Sequence, residues 1–240
     1  MIANWLMASS AGQSVYIDFV GLVVNPDILA LSKARGWAPG GTVTINVLAG
    51  GDVGALIIPN DFLDGSVYII NNGRIGGMGG SRNSRGGTGI YTRRRITINN
   101  NGTIFGGGGG GGEGTGARLC WGGDCHSANG GYGGRGGGYY LQDGIWLYQA
   151  TGGPGNAGGY SSRSPTGYPG DGGSSISAGN GGYGGAIGQA GLPGGSANWS
   201  GSYDTSTTVT GAAPGLAGFS IDGNDYVTWL AIGTRFGNLI

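Results

Sequence analysis

The first 70 residues contain short runs of apolar and polar residues in the alternating pattern of half-buried strands. The clearest runs are "VYIDFVGLVV" (15–24), "TVTINVLAG" (42–50) and "SVYIINN" (66–72). Between the first two, "NPDILALSKARGW" (25–37) is predicted as a short helix opened by Asn25 and Pro26. These elements predict a small α+β or β-rich domain with one core over residues 1–70.

Two segments, one at the end of this region and one beyond it, repeat one phrase. "IINNGRIGGMGG" (69–80) and "TINNNGTIFGGGG" (97–109) both run from a strand through asparagines and a glycine to an isoleucine and a glycine tract. "TINVLAGGDVGALII" (44–58) is a fainter third copy. Stacked strands with asparagine at the turns predict a small solenoid-like or sandwich base from which glycine segments emerge. The alternative is that "NNG" is only a hairpin turn.

Residues 71–240 differ from the first 70 in being rich in glycine. Only 9 of the 62 glycines fall in residues 1–70, so 53 lie in the rest. Many recur at every third residue, as in Gly130, Gly133 and Gly136, and period three is that of a polyproline II type helix. Such helices have no internal hydrogen bonds, so their amides must pair with neighbours. We therefore predict a sandwich of packed polyglycine II helices with long loops and very little α-helix.

Two other glycine-rich architectures fit less well. A flexible linker should be poor in large apolar residues, whereas this region contains Trp121, Trp146, Trp199 and Trp229. Collagen needs long Gly-X-Y tracts rich in proline, whereas these tracts are short and the whole chain has 8 prolines.

Charge and hydropathy exclude several classes of partner. The formal net charge is zero and 10% of residues are charged, so neither nucleic acid nor an anionic membrane is expected as a partner. The basic run "RRR" (93–95) is interpreted as a solvated strand edge, with a binding patch as the alternative. No stretch is long enough for membrane insertion, and "MIANWLMASSAGQ" lacks the basic start of a signal peptide.

The segments between the tracts are rich in Tyr, Trp, Ser, Asn and Arg, a composition typical of binding loops on a rigid scaffold. They span residues 81–92, 117–129, 139–151, 160–169 and 196–210. The alternative is that some aromatics, above all Tyr132 and Tyr183, cover the faces of the glycine block. The candidate receptor-binding residues are Arg82, Arg85, Tyr91, Trp121, Tyr139, Tyr140, Trp146, Tyr148, Tyr160, Tyr168, Trp199 and Tyr203.

Residue types that carry catalysis are scarce. One histidine, His126, and one glutamate, Glu113, argue against an acid–base enzyme, and no cofactor or metal is expected. Cys120 and Cys125 are predicted either to form a local disulfide or to remain two free thiols. A zinc site with His126 would lack a fourth ligand.

The chain resembles the glycine-rich receptor-recognition adhesins at the tips of long tail fibres in T-even-type bacteriophages. The resemblance covers residues 15–240 and is most specific in "INNNGTIFGGGGGGG" (98–112) and the terminal "YVTW…GTRFGNLI". It implies a virion protein at the distal fibre tip, in which a small amino-terminal domain attaches one copy to a trimeric fibre protein. Loops on a polyglycine II sandwich then bind an outer-membrane protein or lipopolysaccharide and determine host range.

Carried onto this chain, the resemblance divides it into a fibre-attachment domain (1–70) and a receptor-binding domain (71–240). The start is shorter than the family pattern, and Trp5, Leu6 and Met7 are the candidate fibre contact, with core packing as the alternative. The remaining alternative for the whole chain is a glycine-rich structural or ice-binding protein without a receptor. A polysaccharide hydrolase would need a carboxylate pair that the sequence does not supply.

Overall fold

The computed structural model describes residues 12–166 and 169–240 and is β-rich, which confirms the predicted shortage of helix. In chain order the elements are β1 (Val15–Phe19), β2 (Leu22–Val24), α1 (Ile28–Ala34), β3 (Val43–Val47), β4 (Asp52–Gly54), β5 (Leu56–Ile57), β6 (Val67–Asn71), β7 (Arg74–Gly76), β8 (Ile90–Tyr91), β9 (Ile96–Asn100), β10 (Thr103–Phe105), β11 (Gly116–Trp121), β12 (Asp124–Ala128), β13 (Gly138–Gln142), β14 (Ile145–Gln149), β15 (Tyr160–Arg163), β16 (Ser174–Ser177), β17 (Asn198–Gly201), β18 (Thr205–Val209), β19 (Ile221–Asp222), a 3-10 helix (Asn224–Tyr226), β20 (Val227–Ala231) and β21 (Thr234–Phe236).

Three parallel sheets form a small β-solenoid. The first has the order β1-β3-β6-β9-β20, the second β2-β4-β7-β10-β21, and the third β5-β8-β19. Successive coils stack in register, so that Ile17, Ile45, Ile69, Ile98 and Trp229 occupy one row. Because strand side chains alternate between faces, these residues point into one shared core.

The first coil is covered by α1. Asp27 caps this helix by accepting a hydrogen bond from the Ala30 amide at 2.9 Å, two residues beyond the predicted start at Asn25. The helix contacts β1, and its Ile28 is 1% exposed within the solenoid core. In the last coil Val227 and Trp229 are only half-buried.

The repeated asparagine phrase forms a corner between the first and second sheets. Asn71 and Asn100 are both fully buried, and Nδ2 of Asn71 donates to Oδ1 of Asn100 at 2.7 Å. The strands that flank each corner lie in different sheets, so the hairpin alternative is wrong. Strands β3 and β4, from the faint third copy at residues 44–58, pair in register with β6 and β7.

The solenoid uses residues on both sides of position 70. Its fourth coil contains β9 and β10, and its fifth coil comes from β20 and β21 near the end of the chain. The functional division into residues 1–70 and 71–240 stays a prediction.

The glycine block leaves the solenoid at the corner between the second and third sheets, after β7 and β10. Its centre is the segment 106–115, which contains no α-helix or β-strand. Each neighbouring segment is hydrogen-bonded to it at every third residue. For example, the amides of Gly108, Gly111 and Gly114 donate to the carbonyls of Gly137, Gly134 and Gly131. Other neighbours of this segment are residues 77–83, 84–89, 179–185, 189–195 and 212–218.

Close backbone approach explains why seven glycines follow each other in this segment. A Cβ atom at Gly106, Gly109 or Gly112 would meet residues 212–218, and one at Gly107 or Gly110 would meet residues 78–81. A Cβ at Gly108, Gly111 or Gly114 would meet residues 179–185. Every side of the run from Gly106 to Gly112 therefore faces another backbone, and no position in that run has room for a side chain.

Segments nearer the surface carry fewer glycines because one side is free. In residues 129–137, glycines fill the two sides that meet the central segment and residues 150–156. Tyr132, which is 52% exposed, and Arg135 occupy the third side. The placement of Tyr132 and of Tyr183, 58% exposed, on the outside of the block agrees with the alternative that these two residues cover its faces.

Candidate functional site

The loops between glycine segments alternate between two ends of the block. The segment 106–115 runs away from the solenoid, 129–137 returns antiparallel to it, and 153–159 runs out again antiparallel to 129–135. The hairpin β13–β14 therefore lies at the near end, beside the solenoid, where Tyr139 pairs with Met78. Residues 116–128, 160–166, 169–177 and 196–210 lie together at the far end, and we call them the far-end loops.

Two small sheets organise the far-end loops. The sheet β12-β11-β18 and the sheet β15-β16-β17 are both antiparallel. They meet over a second core of small residues around Leu119 and Ile176, both fully buried, against which Trp199 packs. His126 joins the sheets, because its Nδ1 lies 3.0 Å from Ser161 Oγ and its Nε2 lies 2.9 Å from Ser174 Oγ.

The β11–β12 hairpin presents Trp121. Gly122 and Gly123 form its turn with φ of 55° and 88°, the left-handed conformations of a tight two-residue hairpin. Cys120 and Cys125 are opposite each other on the two strands and are joined by a disulfide bond. The Gly122 amide donates to Asp204 Oδ2 at 2.7 Å, which ties the turn to the β17–β18 connection.

The loop between β15 and β16 is held by a buried ion pair. Arg163 donates two hydrogen bonds of 2.7 Å to the carboxylate of Asp171, and their side chains are 7% and 0% exposed. The same carboxylate accepts from the amide and hydroxyl of Thr166 and from the amide of Gly173. These bonds, chiefly those from Arg163, lower the pKa of Asp171 far below its usual value. We call this arrangement the Asp171 staple.

The far-end surface combines aromatic and small polar groups. Trp121 lines a cavity of about 320 Å³ with Gly122, Asp124 and Thr166. Tyr160 is 72% exposed and Tyr203 41% exposed. The structure thus brings Trp121, Tyr160, Trp199 and Tyr203 to one end of the molecule. Sequence reasoning missed Asp171, Arg163 and Thr166, because only their proximity in the fold identifies them.

The near-end hairpin contains four predicted receptor-binding residues. Tyr139 is fully buried against Phe105 and Tyr148, so its assignment to a receptor-binding surface is wrong and it is a packing residue. Its hydroxyl donates to Asp52 Oδ1 at 3.2 Å, and burial raises the pKa of this phenol. Arg74 forms a salt bridge with the same carboxylate and lies 4.0 Å from the ring centroid of Tyr148.

Tyr140, Trp146 and Tyr148 are half-buried at this near end and are separated from the far-end loops by the length of the glycine segments. Arg135 stacks on Tyr140, with 3.5 Å between its Cζ and the ring centroid.

The other predicted residues lie along the sides. Arg82 stacks on Tyr132 at 4.0 Å, and Arg85 stacks on Phe219 at 4.1 Å, halfway along the central segment. Tyr91 belongs to β8 of the solenoid and is 38% exposed. Tyr168 and the predicted fibre contact Trp5, Leu6 and Met7 lie outside the described residues.

Comparison with protein families decides the class of the protein. The family described as phage tail fibre adhesin Gp38 matches residues 15–240, almost the whole chain. The chain belongs to this adhesin family. No curated protein and no solved structure matched it. Gp38 family membership confirms the resemblance seen in the sequence and makes the chain a tail fibre adhesin of a bacteriophage, which implies attachment to a tail fibre and a place in the virion.

The described ranges, 12–166 and 169–240, contain neither a membrane-spanning helix nor a cluster of metal-binding side chains. Within them, no helix has the length and apolar character needed to cross a membrane. The same ranges contain no group of three or more His, Cys, Asp or Glu side chains that could hold a metal ion.

Proposed function

We propose that this adhesin sits at the distal tip of the fibre and binds an outer-membrane protein or lipopolysaccharide of the host through its far-end loops. One copy would cap each trimeric fibre, and the choice of receptor would determine host range. The observation that supports this most is the gathering of the far-end loops at the end of the glycine block that is furthest from the solenoid. A surface in that position can meet a cell before any other part of the molecule.

We also infer that the glycine segments are polyglycine II helices packed as a sandwich. The support is the lateral hydrogen bonding with a period of three and the glycines at each line of contact. Such a block has no room to deform at its centre, so it holds the loops at fixed positions. A rigid mount lowers the entropy that the loops would lose on binding.

The far-end chemistry favours binding over catalysis. Asp171 is held ionised by Arg163 and has its remaining acceptor positions occupied by Thr166 and Gly173. A carboxylate in this state is a structural acceptor and a poor general acid. The half-buried Trp121 and the exposed Tyr160 and Tyr203 instead supply contact area at low entropic cost.

The test is binding of the purified full-length chain to host cells. Trp121→Ala, Tyr160→Ala and Tyr203→Ala are each expected to weaken binding about tenfold or more, because large aromatics carry much of the energy of an interface. Tyr132→Ala, on the side of the block, is the matched control and should bind as the unmodified chain does. Trp146→Ala at the near end should also bind normally. Loss of binding in Trp146→Ala with normal binding in the three far-end variants would refute the assignment.

A further inference from the structure

The outer face of the first solenoid sheet carries an unusual row of side chains. Tyr16, Thr44, Tyr68 and Thr97 are neighbours on β1, β3, β6 and β9, so large and small residues alternate across the sheet. Neighbouring strands are about 4.8 Å apart, which places the two tyrosines about 10 Å apart with a threonine between them. Tyr16 is 65% exposed and Tyr68 41% exposed.

A bulge places a further large apolar side chain on this face. The register between β9 and β20 shifts between Trp229 and Ala231, and the extra residue is Leu230, which is 68% exposed. Bulges commonly redirect a side chain in this way. Leu230 closes one side of a groove of about 220 Å³. The groove is lined chiefly by Tyr16, Thr44, Tyr68, Ile70, Thr97 and Leu230.

The groove suits apolar side chains of a protein partner. Its volume is below the roughly 300–1,000 Å³ of typical small-molecule pockets. Within the described part of the chain, Asp18 is the only charged residue that points outward from this sheet, and it accepts a hydrogen bond from Asn46 at 2.7 Å. Exposed tyrosine and leucine around a neutral groove are typical of a protein–protein contact.

Topology places this face opposite the far-end loops. In the fourth coil the chain passes from β9 in the first sheet to β10 in the second, makes the whole excursion of the glycine block, and returns as β19 in the third. The block therefore extends from the corner between the second and third sheets. The first sheet is the side of the solenoid opposite that corner, so its outer face is turned away from the far-end loops.

We propose that the outer face of the first sheet is the surface on which the tail fibre docks, with apolar side chains of the fibre end filling the groove between Tyr16, Tyr68 and Leu230. This rests on the proposed function, in which the opposite end meets the host. A fibre held at this face leaves the far-end loops unobstructed. The fibre is the occupant because the family is one of tail fibre adhesins, whose attachment requires a surface away from the receptor.

The test measures capture of the full-length chain by tail fibres purified from particles of its phage that lack the adhesin. Tyr68→Lys and Leu230→Lys place a charge in the groove and are expected to weaken capture at least tenfold. Both side chains point to solvent, so the thermal midpoint should change little. Tyr183→Lys and Leu192→Lys are matched controls, because these residues are 58% and 55% exposed on the glycine block.

Host-cell binding by the same variants separates the two proposals. Loss of fibre capture with normal cell binding supports docking at this face. Capture within twofold of the controls overturns the docking proposal, as does loss of capture only when Trp5, Leu6 and Met7 are replaced together. A dimer of the isolated chain that Tyr68→Lys converts to a monomer would assign the face to a second copy instead. Failure of the unmodified chain to bind host cells would refute the receptor role without affecting the fibre result.

Discussion

Alanine at Gly110 is the most direct perturbation of the glycine block. Gly110 lies in the middle of the central segment, and a Cβ atom there would overlap the carbonyl oxygen of Ser81. That oxygen belongs to backbone, so it cannot move aside as a flexible side chain could. The segment 77–83 must then separate from the central segment, which loosens the hydrogen bonds from Gly80 to Gly108 (2.8 Å) and from Asn83 to Gly111 (3.0 Å).

The loosened hydrogen bonds and the overlap of atoms together set the loss in free energy of unfolding. Loss of two backbone hydrogen bonds costs about 2 kcal/mol at roughly 1 kcal/mol each. Overpacking in a close-packed interior adds roughly 1–3 kcal/mol. Together they predict that Gly110→Ala lowers the free energy of unfolding by about 3–5 kcal/mol. For a chain of this length the thermal midpoint should fall by roughly 6–10 °C.

Gly153→Ala is the matched control. An added Cβ at Gly153 would lie 3.7 Å from its nearest neighbour, the carbonyl oxygen of Arg135, which is an ordinary contact. The alanine restricts the unfolded chain, so this variant should be neutral or more stable by about 0.4–1 kcal/mol. Both are measured by denaturant unfolding of the full chain. Free energies of unfolding that agree within about 0.5 kcal/mol would refute close packing as the reason for the glycine run.

Three further perturbations test the corner, the staple and the near end. Asn71→Ala removes a buried partner of Asn100 and should cost about 1–3 kcal/mol in denaturant unfolding, whereas the exposed Asn72→Ala should cost under about 0.5 kcal/mol. Because the pKa of Asp171 is lowered, its staple contributes fully above the usual aspartate pKa of about 4 and is lost only as the pH falls below it. The Gly173 amide should therefore stay protected from hydrogen exchange at pH 4.5 and exchange about tenfold faster in Asp171→Asn. The raised pKa of Tyr139 keeps it neutral at pH 11, so Tyr139→Phe should leave the phenolate absorbance unchanged there. The stability that this neutral phenol contributes is fully present below the usual tyrosine pKa of about 10 and is lost as the pH rises from there through its raised pKa. If the unmodified chain showed a tyrosine ionising near pH 10 and Tyr139→Phe lacked that step, the burial of Tyr139 would be contradicted.

The strand phrases and their stacking follow from local pattern. In "IINNGRI" and "TINNNGTI" the strand residues that point inward are two apart, and each strand ends at an asparagine. These asparagines, Asn71 and Asn100, form the solenoid corner. The fifth coil could not be predicted in this way. It requires β20 to pair with β9 after an excursion of more than a hundred residues, and no local pattern specifies that partner.

The end of the glycine block at which each loop lies also could not be predicted from the sequence. Segments 139–151 and 196–210 both contain Trp and Tyr, yet β13–β14 lies at the near end and β17–β18 at the far end. Which end a loop occupies depends on how many segments have run out and back before it. Tyr139 illustrates the consequence, since its burial comes from Phe105 and Asp52, which are distant in sequence.

The sequence by itself determined the backbone chemistry of this protein: its strand periodicity, the lines of glycine at every third residue and the membership of the adhesin family. Those properties are local, because a side chain or its absence constrains the residues beside it. Only the tertiary structure decided which loops share an end, which tyrosine is buried and which sheet face is turned away from the far-end loops. These depend on the pairing of segments far apart in the chain, where glycine backbones offer many equivalent partners and the whole packed block selects one.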